Sequence, residues 1–280
     1  MRNQVLSSIV WILLAMFSIQ FGASIAKHLF PQAGAAGTTA LRVSMSAVLL
    51  LVAARVWKHK ISRESIPSIA AYGVSLGLMN LLFYFALERI PLGLAVALEF
   101  VGPLSVALLS SKRALDIVWA VLAGLGIYFV LPIGETNTTL DMTGVALALI
   151  AGVFWGLYII FGKKAAKNGG SLVITAWGMA FAALVSFPVG VFINVEQIKN
   201  PGLWPMGLLI AILSSALPYS LEMKAMRNMP AKTFGILMSL EPVVATFMGI
   251  LLLQEHLTLT QWSAIACIIA ASVGSTATSK

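Results

Sequence analysis

Charge is what this sequence has least of: only 10% of its 280 residues are Asp, Glu, Lys or Arg, against about 25% in a soluble globular domain. That scarcity excludes a water-facing surface over most of the molecule, because a soluble fold must cover its exterior with polar groups. There is one cysteine, Cys267, inside an apolar run, which excludes a disulfide framework and a thiolate metal cluster. The sequence has no Gly-rich phosphate loop and no His/Cys/Asp ligand cluster, and its three histidines, His28, His59 and His256, lie apart. No metal chemistry, ATP hydrolysis or cofactor is expected, so any driving force is an ion gradient or the substrate's own gradient. The net charge of +8 comes from bases scattered between apolar runs, and without a basic patch no nucleic-acid partner is expected.

What is abundant is apolar sequence: 59% of residues are hydrophobic and the mean hydropathy is +0.95. A helix spanning a bilayer needs about 20 such residues. Ten runs qualify, so the expected fold class is an all-α integral membrane protein with ten transmembrane helices and the lipid bilayer as its surroundings. The first five are Val5 to Ala26, Ala35 to Val56, Ile66 to Leu87, Leu92 to Ser111 and Ile117 to Ile133. The second five are Thr143 to Gly162, Leu172 to Phe192, Met206 to Ala225, Thr233 to Leu253 and Leu259 to Thr278. Cytoplasmic loops retain Lys and Arg. With both termini cytoplasmic, ten spans put fourteen bases on the inner side and three (Lys27, Arg89, Lys199) on the outer, leaving Arg42 inside a span. Ser24-Ile25-Ala26 resembles a signal-peptide cleavage site, but the run before it is longer than a signal core and has a later counterpart, so the first span is expected to be retained.

That counterpart belongs to an internal repeat. A shift of 139 residues places Leu82 on Leu221, Ala86 on Ala225, Pro91 on Pro230, Pro103 on Pro242 and Asp116 on Glu255. A shift of 137 places Phe17 on Phe154, Phe21 on Tyr158 and Lys27 on Lys164, and a shift of 143 places Trp119 on Trp262. The repeats are expected at 1–134 and 135–280. With five helices each, an odd number, they must be inverted relative to one another. Inverted repeats are the architecture of alternating-access transporters, with substrate bound near the midplane between the halves.

The run Pro91-Leu-Gly-Leu-Ala-Val-Ala-Leu-Glu99-Phe-Val-Gly-Pro103, and the later Leu240-Glu241-Pro242 with Glu255, resemble the paired signatures of the EamA family of the drug/metabolite transporter superfamily. More narrowly, Gly22-Ala-Ser-Ile-Ala-Lys27, Ser214-Ser-Ala-Leu-Pro-Tyr-Ser-Leu-Glu222-Met and Phe234-Gly-Ile-Leu-Met-Ser-Leu-Glu241-Pro242 resemble its bacterial inner-membrane exporters of threonine and homoserine. The similarity runs from the first span to the last. It implies a multi-pass protein of the bacterial inner membrane that exports small neutral amino acids and is not an enzyme. Ser18 departs from the pattern: many members have Trp there, which the second half keeps as Trp155.

An ionisable residue in a span costs at least ~2.5–3.5 kcal/mol on insertion scales, so each needs a reason. There are four, Arg42, Glu99, Glu222 and Glu241. Glu99 and Glu241 are read about halfway along their spans, beside Pro103 and Pro242. A proline loosens the helix, and irregular backbone at that depth is tolerated mainly beside a cavity. These carboxylates either hold a substrate ammonium, exchange a proton with it, or serve as buried struts; Glu99, at mid-depth with no nearby base, is the expected proton-coupling site. Glu222, with Lys224 and Arg227 close behind, is either a gate residue or a solvated acid balancing those bases. Arg42 is read toward the outer end of its helix, where a long side chain can snorkel or cap a helix end; the other reading is capture of a substrate carboxylate.

Six neutral polar residues complete the expected substrate site: Gln20, Asn80, Tyr84, Trp155, Tyr158 and Tyr219. Asn80 and Tyr84 share a helix face by their four-residue spacing, as do Tyr219 and Glu222 by theirs. The repeat makes Asn80 and Tyr219 equivalent positions. For Trp155 and Tyr158 the leading reading is packing or the interfacial aromatic belt. Gly73/Gly77 and Gly152/Gly156 have the spacing that lets helices approach closely. Three acids against one arginine also suit a cationic drug or another metabolite, and an integral-membrane enzyme acting on lipid-linked substrate is the alternative from a different class.

Overall fold

The structure is a computed structural model that describes residues 2–109, 115–130, 140–228, 237–238 and 240–278. Among them every regular element is a helix, as expected where no water is available to satisfy free backbone groups. In chain order these are α1 (Arg2–Ala53), α2 (Ile66–Leu87), α3 (Leu92–Glu99), α4 (Val101–Leu109), α5 (Leu115–Val130) and α6 (Met142–Ala165). They continue with α7 (Ser171–Lys199), α8 (Trp204–Ala211), a single π-turn (Ile212–Ala216), α9 (Leu217–Asn228), α10 (Glu241–Leu253) and α11 (Leu259–Thr278). Among the described residues, five stretches are long and apolar enough to cross a membrane: Ser7–Ala53, Arg63–Leu87, Met142–Asn168, Ser171–Lys199 and Pro201–Asn228. Shorter apolar helices cover Leu92–Val106, Ile117–Gly126, Glu241–Leu253 and Leu259–Ala271.

The first two expected spans lie on either side of a break in α1. Pro31 removes one backbone donor there, and Gly34 takes φ 65° and ψ 165°, a conformation open essentially to glycine alone. The chain then restarts as a helix whose orphan N–H groups are capped from elsewhere. Ala35 N–H donates to Glu88 Oε1 at 2.8 Å, and Gly37 N–H donates to Asn194 Oδ1 at 3.1 Å. Asn194 is itself the non-helical residue within α7, so the breaks of α1 and α7 lie against each other. The fourth expected span divides into α3 and α4 at Phe100; Pro103 cannot donate to the carbonyl of Glu99. The fourth, fifth and ninth expected spans run partly outside the described residues, as does the junction expected at 134/135.

Glycines set the helix spacing. A methyl group at Gly102 would strike the backbone of Gly152, and one at Gly152 would strike the carbonyl of Glu99. Gly73 and Gly77 of α2 likewise meet Gly178 and Ala182 of α7. Both small-residue pairs therefore serve contacts within the chain. The interior is apolar, but so is the exterior: Phe192 is 91% exposed, Leu184 and Val48 also face outward, while Arg42, Glu99, Glu222 and Glu241 are buried. Lipid rather than water suits such an exterior.

At one end of the molecule the outer-side charges read from the sequence meet. Lys27 Nζ pairs with Glu255 Oε1 at 2.6 Å, and Glu255 Oε2 accepts the N–H of Leu92 at 2.9 Å. Arg89 lies 3.6 Å from both Glu88 and Asp141.

Candidate functional site

The site begins with an absent proton. Pro218 has no N–H, yet in an α-helix that nitrogen would serve the carbonyl of Ser214, and in the preceding π-turn that of Leu213. Both carbonyls are taken over by α1. Ser18 Oγ donates to Leu213 O at 2.6 Å, and Arg42 Nη1 donates to Ser214 O at 3.2 Å. Gly22 permits the approach, since a methyl group there would come within 2.9 Å of Ser214 Oγ.

Arg42 is 1% exposed, which replaces the expected snorkelling position with a central one. Besides Ser214 O, Nη1 donates to Ser215 Oγ at 2.8 Å, and Nη2 donates to Asn80 Oδ1 at 2.5 Å. The Tyr84 ring covers its face, 4.1 Å from ring centroid to guanidinium carbon. Such contact between a cation and a ring gains strength where water is excluded. Asn80 Oδ1 also accepts the hydroxyl of Tyr219 at 2.9 Å, while its Nδ2 donates to Leu76 O at 2.7 Å. Arg42 thus joins α1, α2, the π-turn and, through Asn80, α9.

These groups line a narrow cavity of about 40 Å3, room for a few waters at most without side-chain movement. Gln20, Asn80, Tyr84, Glu99, Trp155, Tyr219, Glu222 and Glu241 all reach it, together with Arg42 and Ser214. Tyr158 stands behind the wall, donating to Glu222 Oε2 at 3.0 Å. Trp155 packs edge-on against Phe100, 5.3 Å between ring centroids. Two of the three acids occupy helix ends and Glu222 lies within α9: Glu99 closes α3, and Glu241 opens α10, where the partial positive charge of a helix N-terminus favours its carboxylate. Gln20 Nε2 donates to Glu241 Oε1 at 3.0 Å. Glu222 is buried, so it is not the solvated partner of the following bases. Lys224 instead sits 3.9 Å over the ring of Trp11, and Arg227 donates to Gly169 O at 3.0 Å.

Sequence reading missed Ser214 as a cavity group and Ser215 as a partner of Arg42. The signal was present: a proline four positions after a serine leaves that serine's carbonyl open. Among the described residues no group of His, Cys, Asp and Glu could hold a metal ion.

The family model of EamA-like transporters matches residues 142–277. The threonine/homoserine exporter RhtA of Escherichia coli (strain K12) is 49% identical over 270 residues, covering 96% of this chain and 91% of that protein. Its namesake in Salmonella typhimurium (strain LT2) is 47% identical over 270 residues, with 96% and 91% covered. An uncharacterized transporter of Bacillus subtilis (strain 168), YyaM, is 25% identical over 84% of this chain and 83% of its own. A crystal structure superposes with a TM-score of 0.60 at 17% identity over 96% of both chains, a likeness of fold alone.

Proposed function

Because the chain belongs to the EamA-like transporter family, we propose that it exports small neutral amino acids across the bacterial inner membrane, with threonine and homoserine the first substrates to test. The observation that carries this reading is the buried cavity in which one arginine, two amide side chains and three carboxylates converge. So many polar groups in an apolar molecule need a polar cargo to justify their insertion cost. Gln20, Asn80, Tyr84, Glu99, Trp155, Tyr219, Glu222 and Glu241 form the substrate site, with Tyr158 positioning Glu222.

The mechanism is alternating access between two inverted five-helix halves, residues 1–134 and 135–280, with both termini cytoplasmic. Packing supports a two-fold relation between the halves, which an odd number of helices in each half makes an inversion. The first part of α1, α2, α5 and the α3–α4 pair correspond by sequence shift to α6, the α8–α9 pair, α11 and α10. Then α2 against α6 has its counterpart in α8–α9 against α1, and α3 against α6 has its counterpart in α10 against α1; α5 packs on α11 and α3 on α10, each element on its own equivalent. Glu99 is the coupling carboxylate, exchanging a proton as substrate leaves.

Labelled threonine and homoserine flux in proteoliposomes, with and without an imposed pH gradient, tests the proposal. Flux that rises with the gradient is expected. Flux indifferent to the gradient removes proton coupling but keeps export, and no flux from well-inserted protein overturns the substrate assignment. A second reading, export of a cationic compound, is favoured by the three cavity carboxylates against one arginine; competition by organic cations would reveal it.

A further inference from the structure

Two sets of unused hydrogen-bonding capacity belong to residues that line the cavity, and their chemistry differs. A guanidinium carries five protons. Three of Arg42's are spent on Ser214 O, Ser215 Oγ and Asn80 Oδ1. Its Nε is buried without a partner, so a donor edge stays open while the rest of the group is clamped and covered by the Tyr84 ring. The second set is made only of acceptors. Glu241 Oε2 and Gln20 Oε1 are both buried and unpartnered. Because Gln20 Nε2 already donates to Glu241 Oε1, the remaining oxygens of both side chains are turned to other use.

Buried polar atoms without partners are few in folded proteins, and each needs an explanation. From these two sets we infer that the cavity reads both charged ends of an α-amino acid zwitterion, the carboxylate on the open Nε edge of Arg42 and the ammonium on Glu241 and Gln20. The assignment rests on the export reading above and specifies its ligand class. A planar guanidinium edge matches a carboxylate in shape as well as charge, and an ammonium brings three donors and no acceptor to the acceptor pair. Organic cations fit worse, since they would leave Arg42 unmatched beside a like charge. Simple anions fail at the other pole. Among the three cavity carboxylates, Glu241 is the one with a fully buried oxygen that lacks a partner, whereas Glu99 and Glu222 have none.

The test separates binding from flux. Binding to the full-length protein in detergent is measured calorimetrically with L-threonine, L-threoninol, in which the carboxylate is replaced by an alcohol, and N-acetyl-L-threonine, in which the ammonium is lost. Both analogues are expected to bind at least roughly tenfold more weakly than threonine, since each leaves one buried charged group unmatched. Arg42→Lys should narrow the gap between threonine and threoninol while keeping discrimination against the N-acetyl compound, and Glu241→Gln should do the converse. This crossed pattern is one that a merely structural role for either residue does not produce. Should a variant fail to fold, the analogue series on the native protein decides alone. Equal affinity for threonine and threoninol overturns the inference even where threonine is exported. Analogue discrimination in a protein that shows no flux leaves the inference standing and removes the export reading instead.

Discussion

The hydroxyl of Tyr219 donates to Asn80 Oδ1 at 2.9 Å, and these two residues stand 139 positions apart, the interval that aligns the two halves of the sequence. Residues related by a two-fold axis can touch only where they straddle it. Under the proposed inversion, this hydrogen bond therefore marks the axis, and Arg42, which shares the same acceptor atom, lies beside it.

Asn80→Ala removes the acceptor on which Arg42 and Tyr219 converge. The concentration of threonine needed for half-maximal export should rise roughly tenfold, the cost of leaving such donors unmatched. Tyr219→Phe, which spares the Arg42 contact, should have a smaller effect in the same direction. Kinetics in proteoliposomes at matched protein incorporation check both, and unaltered half-saturation for Asn80→Ala would return the pair to a packing role.

Glu99→Gln keeps the shape of the side chain and removes its titration. Export should persist at a lower rate and lose its dependence on an imposed pH gradient. Initial rates measured across a series of gradients decide the matter, and a native-like dependence rules Glu99 out as the coupling group.

Gly34→Ala places a side chain in a backbone conformation reserved for glycine and brings its methyl group to 2.8 Å from Asn194 Nδ2. A loss of roughly 1–3 kcal/mol is expected, seen as a fall of several degrees in the melting temperature of the detergent-solubilised protein. Gly170→Ala, where nothing lies within 4 Å and φ is −65°, is the control and should be close to neutral.

Glu255→Gln breaks the pair with Lys27, whose partners are 12% and 26% exposed, and weakens the cap on Leu92 N–H. Partial burial puts the cost between those of surface and interior pairs, about 1–3 kcal/mol. Thermal unfolding at low and high salt measures it, and a loss that vanishes at high salt would mean the pair behaves as a surface contact.

Some of the site was visible in the sequence because cost made it visible. Glu99, Glu222 and Glu241 stand out in apolar runs, and Asn80 with Tyr84 follows from helical spacing. What sequence depth could not supply was position along broken helices. Glu99 and Glu241 lie at helix ends, since Phe100 and Leu240 bound α3 and α10. Arg42 was read too near the surface because counting from the start of its span does not show that α1 breaks at Gly34 and presents this residue to the π-turn. Ser214 and Ser215 were invisible, and Ser18 stood out only as a departure from the family pattern, for another reason: small hydroxyls within apolar helices usually bond to their own backbone. Here Ser18 serves a carbonyl on a different helix.

Pro218 stands outside the lining of the polar cavity, yet the carbonyl it leaves open is one of the anchors of Arg42. The location of the buried cation is thus written partly into a backbone position on another helix. Selectivity in such a protein can drift, under selection or in the laboratory, through exchanges at a residue that never meets its cargo. A search for altered substrate range confined to the cavity wall would overlook the site that aims it.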